Sequence, residues 1–173
     1  MKKECHEGGF VVLEFLLSLP VLVLIVLGLC FGVTAASRNY LVVRAQEEVQ
    51  REVQLAMVRV VDDCMSGTSL RRGSTEESVR IYSGDRPVAE YLVNEDAKHV
   101  RKLVKNMTNF PITGNHEWAL VVVTSFGFAE VDSVERPGLY RIWLEAKSKK
   151  AGGAPYKLTT EIYLPPAAPG GVP

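Results

Sequence analysis

Glu14 is the residue whose surroundings make its chemistry conspicuous. It stands at the head of an apolar run, and from Phe15 to Ala36 no side chain is charged. A carboxylate in a membrane-type segment is costly, about 2.5–3.5 kcal/mol at the helix centre, so it calls for a cationic partner. The chemistry it offers is ion pairing; the alternative is that, so close to a helix end, it reaches headgroups and water. The remaining reactive residues form no constellation. Cys5, Cys30 and Cys64 fall in three different environments and leave no pair for a disulfide framework, and Cys30 and Cys64 read as small buried apolar residues. Of the histidines, His6 lies at the extreme N-terminus, His99 in a basic segment and His116 in a Gly-Asn loop, and the last two read as surface residues. No HExxH, CxxC, Walker-type loop or GxSxG occurs, so nothing in the sequence points to an enzyme, a metal or a cofactor.

The element that positions Glu14 is the apolar run itself. A helix rising ~1.5 Å per residue crosses ~30 Å of hydrocarbon within the span from Phe15 to Ala36, which predicts a membrane segment. Pro20 removes one helical hydrogen bond and is expected to kink the run, which a membrane helix tolerates. The small residues around Val33-Thr34-Ala35-Ala36-Ser37 suit a signal peptidase. Against that cut, an ordinary signal has an apolar region of about 7–15 residues, and Phe10 to Gly32 is far longer. Lys2 and Lys3 precede the run and Arg38, Arg44 and Arg51 follow it, so flanking charge does not by itself favour a cytoplasmic N-terminus.

Gly8-Gly9-Phe10-Val11-Val12-Leu13-Glu14 closes a short polar stretch with Gly, continues with Phe, and places Glu fifth counting Phe10 as first. This arrangement resembles the class III signal of the type IV pilin superfamily. The resemblance implies a leader from Met1 to Gly9, cleavage between Gly9 and Phe10 by a prepilin peptidase at the cytoplasmic face, and N-methylation of Phe10. It also implies an assembly role for Glu14, whose carboxylate would meet the N-terminal amine of a neighbouring subunit. The partners that follow are other pilin or pseudopilin subunits, an inner-membrane assembly platform and, before assembly, membrane lipid. The implied location is a single pass of the inner membrane with the C-terminal head outside the cytoplasm, and a surface or periplasmic filament afterwards. Glu14-Phe15-Leu16-Leu17-Ser18-Leu19-Pro20 also resembles the start of the TadE-like pseudopilins of tight-adherence systems, although the Ala-rich continuation expected there is missing after Ala36. A long helix, a small β-rich head and no head disulfide are similar to the larger minor pilins and pseudopilins of the PilW or GspJ kind. The competing reading is a bitopic or secreted binding module unrelated to filaments.

The chain of 173 residues has room for one modest domain beside a membrane helix. Its twenty basic and twenty acidic residues balance, which removes the electrostatic reason to expect nucleic acid as a partner. The expected fold class is α+β, with a long N-terminal helix packed on a small antiparallel β-sheet head. The expected divisions are a leader over 1–9, a transmembrane or filament-core helix over 10–36, an amphipathic helix over 37–66, a β-rich head over 67–164 and a flexible Pro/Gly tail over 165–173.

The sequence supports these divisions locally. Leu41, Ala45, Val49, Val53, Met57, Val60 and Cys64 recur every three or four residues, predicting one buried stripe on a helix that Gly67 ends. Gln46, Glu47, Gln50, Arg51, Gln54 and Arg59 mark the opposite face. Ser66 to Thr75 reads as an exposed connection. Strands are predicted over Val79–Tyr82, Val88–Val93, Trp118–Phe126, Tyr140–Ala146 and Leu158–Leu164, with the uninterrupted apolar Ala119 to Val123 as the central one. Ala97 to Met107 is predicted as helix from the spacing of Val100, Leu103, Val104 and Met107. Gly84-Asp85, Pro137-Gly138 and Gly152-Gly153 are predicted turns, the last closing a hairpin.

Overall fold

The structure is a computed structural model that describes residues 8–96, 100–106, 111–114, 120–131, 137–149 and 154–165. Met1 to Glu7 of the expected leader, His99, His116, the Gly152-Gly153 turn and the tail beyond Pro165 lie outside the described residues. The chain divides into two compact units, residues 1–41 and 42–173.

One helix, α1 (Gly8–Met65), runs from the first unit into the second. In the first unit every described side chain from Val12 to Leu41 is exposed, whichever way it points. A helix that is apolar all round has no polar face to offer water, which is the character of a membrane span. Pro20 sits inside α1, and the helix is continuous across it. Two of its hydroxyls bond within the helix: Ser18 Oγ donates to the Phe15 carbonyl at 3.0 Å and Thr34 Oγ1 to the Cys30 carbonyl at 2.7 Å.

In the second unit α1 becomes one-sided. Ala45, Val49, Val53, Ala56, Met57, Val60 and Cys64 are buried, whereas Glu47, Gln50, Arg51, Gln54 and Arg59 are exposed. The predicted stripe therefore holds from Ala45 onward, and Leu41 stays exposed. α1 stops at Met65, and the Gly67 amide donates back to the Cys64 carbonyl at 2.8 Å. Gly67 is needed here for close approach: a Cβ would come within 2.5 Å of Ile81 Cγ2.

Among the described residues seven strands follow: β1 (Ser69–Arg72), β2 (Ser78–Ser83), β3 (Arg86–Glu95), β4 (Arg101–Lys105), β5 (Val121–Glu130), β6 (Leu139–Ser148) and β7 (Tyr156–Tyr163). They form two antiparallel sheets, ordered β1-β2-β3-β4 and β5-β6-β7. The α+β layout stands, with two sheets in place of one. Val53, Val60 and Cys64 of α1 share a single core with Val79, Ile81 and Tyr91 of the first sheet and Val123, Ile142 and Leu144 of the second. Each fully buried Val, Leu or Ile contributes about 1.5–3 kcal/mol, so this shared core is the principal stabiliser of the unit.

Three expectations are corrected. Ser66 to Thr75 contains β1, whose Leu70 is buried opposite Ile81 while Arg71 and Arg72 face solvent. Residues 101–105 are the strand β4, not a helix. Leu103 enters the core and the adjacent Val104 is buried too, with Pro111 bridged to Val104. Burial of neighbouring residues erases the strand's alternation and leaves a spacing that mimics a helix. The central strand of the second sheet is β6; β5 is at its edge. β5 is nevertheless apolar because it also meets the first sheet: at the register shift between Val123 and Ser125 the Thr124 carbonyl accepts from Arg101 Nη1 at 3.1 Å.

Of the predicted turns, Gly84 and Gly138 take φ of 62° and 92°. Gly84 joins β2 to β3 directly, where a positive φ matches the strand twist. Gly138 has no room for a side chain, since a Cβ would lie 2.3 Å from the Leu164 carbonyl oxygen.

Candidate functional site

Gly9 and Phe10 lie in the first turn of α1, and Glu14 follows Phe10 by four residues, one turn along the same helix face. The Glu14 side chain is exposed, as is Pro20. The segment therefore presents a carboxylate on an otherwise apolar rod whose every side is open to lipid or to other apolar helices. Chemically it can do two things: insert, and capture a cation that arrives at the level of its first turns. α1 is the one helix among the described residues long and apolar enough to cross a membrane, and it lies near the N-terminus.

The head holds its titratable groups in structural clasps. The last turn of α1 carries Asp62 and Asp63 and no basic residue, an arrangement that the helix dipole disfavours. Compensation comes from the first sheet: Lys105 Nζ of β4 lies 2.5 Å from Asp63 Oδ2, and the buried Tyr91 hydroxyl of β3 donates to the same oxygen at 2.5 Å. Glu90 is held comparably, accepting from the Ser74 amide and hydroxyl at 2.7 and 2.8 Å and from Arg80 at 2.9 Å. Glu52, on the buried face of α1, accepts from the Gly114 amide at 2.7 Å. Sequence reading missed Asp63, Tyr91, Lys105 and Glu52. Glu52 was detectable, because it is three residues from Val49 and four from Ala56 and so falls on the stripe.

These contacts set a pH profile. Burial pushes the Cys64 thiol up to about 12, with the Asp63 charge adding to the effect. Burial also raises the Tyr91 phenol, again with help from Asp63. For Asp63 burial acts upward, but the Lys105 and Tyr91 hydrogen bonds outweigh it and hold the carboxyl below its ordinary value of 3.8. The folded head keeps the Cys64 and Tyr91 protons that an unfolded chain releases above pH 9–10, so stability is full below that range and falls as pH rises toward 12. The Asp63 contribution is full above its unfolded value and disappears as pH falls through its folded one. Urea midpoints are expected to be level between roughly pH 5 and 8.5 and to fall on both sides. Cys64→Val should soften the alkaline fall, for which the thiol alone sets an upper limit of about 4 kcal/mol. An alkaline limb identical in Cys64→Val and the parent would refute this assignment.

A shallow apolar groove of about 550 Å³ separates α1 from β7, lined on the helix by Met57, Val58 and Val61 and on the strand by Leu158. Among the described residues, no three His, Cys, Asp or Glu side chains converge as a metal-binding group. Compared with known proteins, the chain matches no family model, no curated protein and no solved structure.

Proposed function

We propose that this chain is a structural subunit of a filament of the type IV pilin kind, a minor pilin or pseudopilin that assembles through its N-terminal helix. The observation that carries the reading is the coincidence on one helix of three features: Gly9-Phe10, a carboxylate one turn later, and an apolar surface on all sides continuing from Phe15 to Ala36. In this reading a prepilin peptidase removes Met1 to Gly9 and frees the amine of Phe10. In lipid, Glu14 is then a costly charge without a counter-ion. Beside the N-terminus of a neighbouring subunit it gains one, so the same carboxylate disfavours the isolated subunit and favours the correctly staggered one. The β-rich head would lie outside the cytoplasm, and translocation of so long a C-terminal part is largely indifferent to flanking charge.

Co-expression with a prepilin peptidase tests the proposal. The mature chain is expected to begin at Phe10 and to carry a methylated amine. Glu14→Ala is expected to insert into the membrane as the parent does and to be lost from sheared filaments by tenfold or more, given a counter-ion interaction of about 2 kcal/mol in a low-dielectric setting. A mature N-terminus at Ala36 or Ser37 would overturn the reading, because the rod would then be gone.

A further inference from the structure

The free edge of β7 has a charge pattern that fits itself. On the outer face of the second sheet Arg141 is registered opposite Glu161, and Glu145 opposite Lys157, with Trp143 opposite Thr159 between them. The Arg141–Glu161 pair is closed by two hydrogen bonds of 2.9 and 2.6 Å. Lys157, Thr159 and Glu161 are exposed on that face, and among the described residues β7 pairs only with β6. An unpaired strand of this length is a template for another strand unless something blunts it.

We propose that a second copy of this chain adds antiparallel to the edge of β7, with Thr159 of each copy facing Thr159 of the other, joining the two β5-β6-β7 sheets into one. Paired residues must share a face, so a two-fold axis between identical strands passes through a residue and never between two. Centring it on Thr159 sets Lys157 opposite Glu161 of the second copy, and Glu161 opposite Lys157 of the second copy. Across the joined sheet the outer face then reads Arg141, Glu161, Lys157, Glu145, alternating in sign at every step. Centring on Lys157 or on Glu161 instead opposes like charges, and centring on Leu158 or Thr160 leaves the two charges unmatched. β1, the exposed edge of the other sheet, carries Arg71 and Arg72 and has no such self-complementarity. The inner side agrees: the groove beside β7 leaves Val58 56 % exposed, and an added strand would lie along it. The inference is independent of the filament reading, since it concerns β6, β7 and the part of α1 beside them and not the N-terminal rod.

The full chain in detergent micelles, with Cys5 and Cys30 replaced by Ser, provides the test. Thr159→Cys is expected to give a disulfide-linked dimer on mild oxidation. Tyr163→Cys, exposed on the same face of the same strand, is expected to give almost none, because Pro155 is its counterpart in this register. In the Thr159→Cys background, Lys157→Glu or Glu161→Lys alone is expected to lower the dimer yield about tenfold. Mixing those two variants should restore it as the heterodimer, in which both pairs facing each other across the interface are again opposite in sign, while the altered pairs within each sheet are the same as in the separate variants. Equal cross-linking at positions 159 and 163, no Thr159→Cys dimer from a chain with unchanged circular dichroism, or a mixture no better than its components would each overturn the proposal.

Discussion

A chain that begins at Val42 is expected to remain in water and fold, while the full chain partitions quantitatively into detergent or membrane. The side chains removed, from Val12 to Leu41, are mostly apolar, with Glu14 and Arg38 as the charged exceptions; all are exposed in the structure, and none contributes to the core of the second unit. At about 1.5–3 kcal/mol for each large apolar side chain withdrawn from water, the difference in partitioning amounts to tens of kcal/mol. The second unit loses little, because the first buried residue of its helix is Ala45. Sedimentation with and without vesicles, together with a cooperative melt of the shortened chain, checks both halves. A shortened chain that stays unfolded would show that the head depends on the anchor, contrary to this account.

Val53→Asp is expected to abolish the folded head, and Leu55→Asp, two residues along the same helix, to leave it nearly untouched. Val53 has no exposed surface and packs in the core that joins α1 to both sheets, whereas Leu55 is 53 % exposed. A carboxylate at position 53 would lose its hydration among the apolar side chains of the core, and an uncompensated buried charge costs about 3–5 kcal/mol on top of the lost valine packing. That is comparable with the whole stability of a domain this size. At position 55 the change should stay within about 0.5 kcal/mol. Loss of near-ultraviolet circular dichroism in the first variant but not the second is the readout. Similar behaviour of the two would mean that α1 presents a different face to the sheets.

The anchor and the amphipathic half of α1 were legible because both rest on composition and a period of 3.6, which nothing distant alters. β6 and β7 were legible for a similar reason: one face of each is more buried than the other, so alternation survives; β2 and β3 were legible as short segments of β character bounded by turn residues. What escaped depends on contacts across the chain. β1 hides in an Arg- and Ser-rich stretch because a short edge strand needs only Leu70 in the core. β4 reads as helix because Leu103 and Val104 are both covered, partly by the segment around Pro111. The position of β5 at an edge could not be foreseen, since its apolar run suits a central strand and a strand between two sheets equally well. The Asp63, Lys105 and Tyr91 clasp brings together residues from three elements, and no local pattern marks it. For the rod itself, sequence supplied Gly9, Phe10 and Glu14, and the structure adds that they share the opening turns of one helix.

The tie between Gly138 and Leu164 has a practical side. The Leu164 amide donates to the Gly138 carbonyl at 2.8 Å, and Gly84, Asp85, Gly138 and Leu164 line one shallow hollow. Leu164, the last residue tied to the second sheet, therefore lies beside the Gly84-Asp85 turn. Fluorophores attached at positions 85 and 165 are therefore close, so energy transfer between them would be near its maximum and would fall as the head opens.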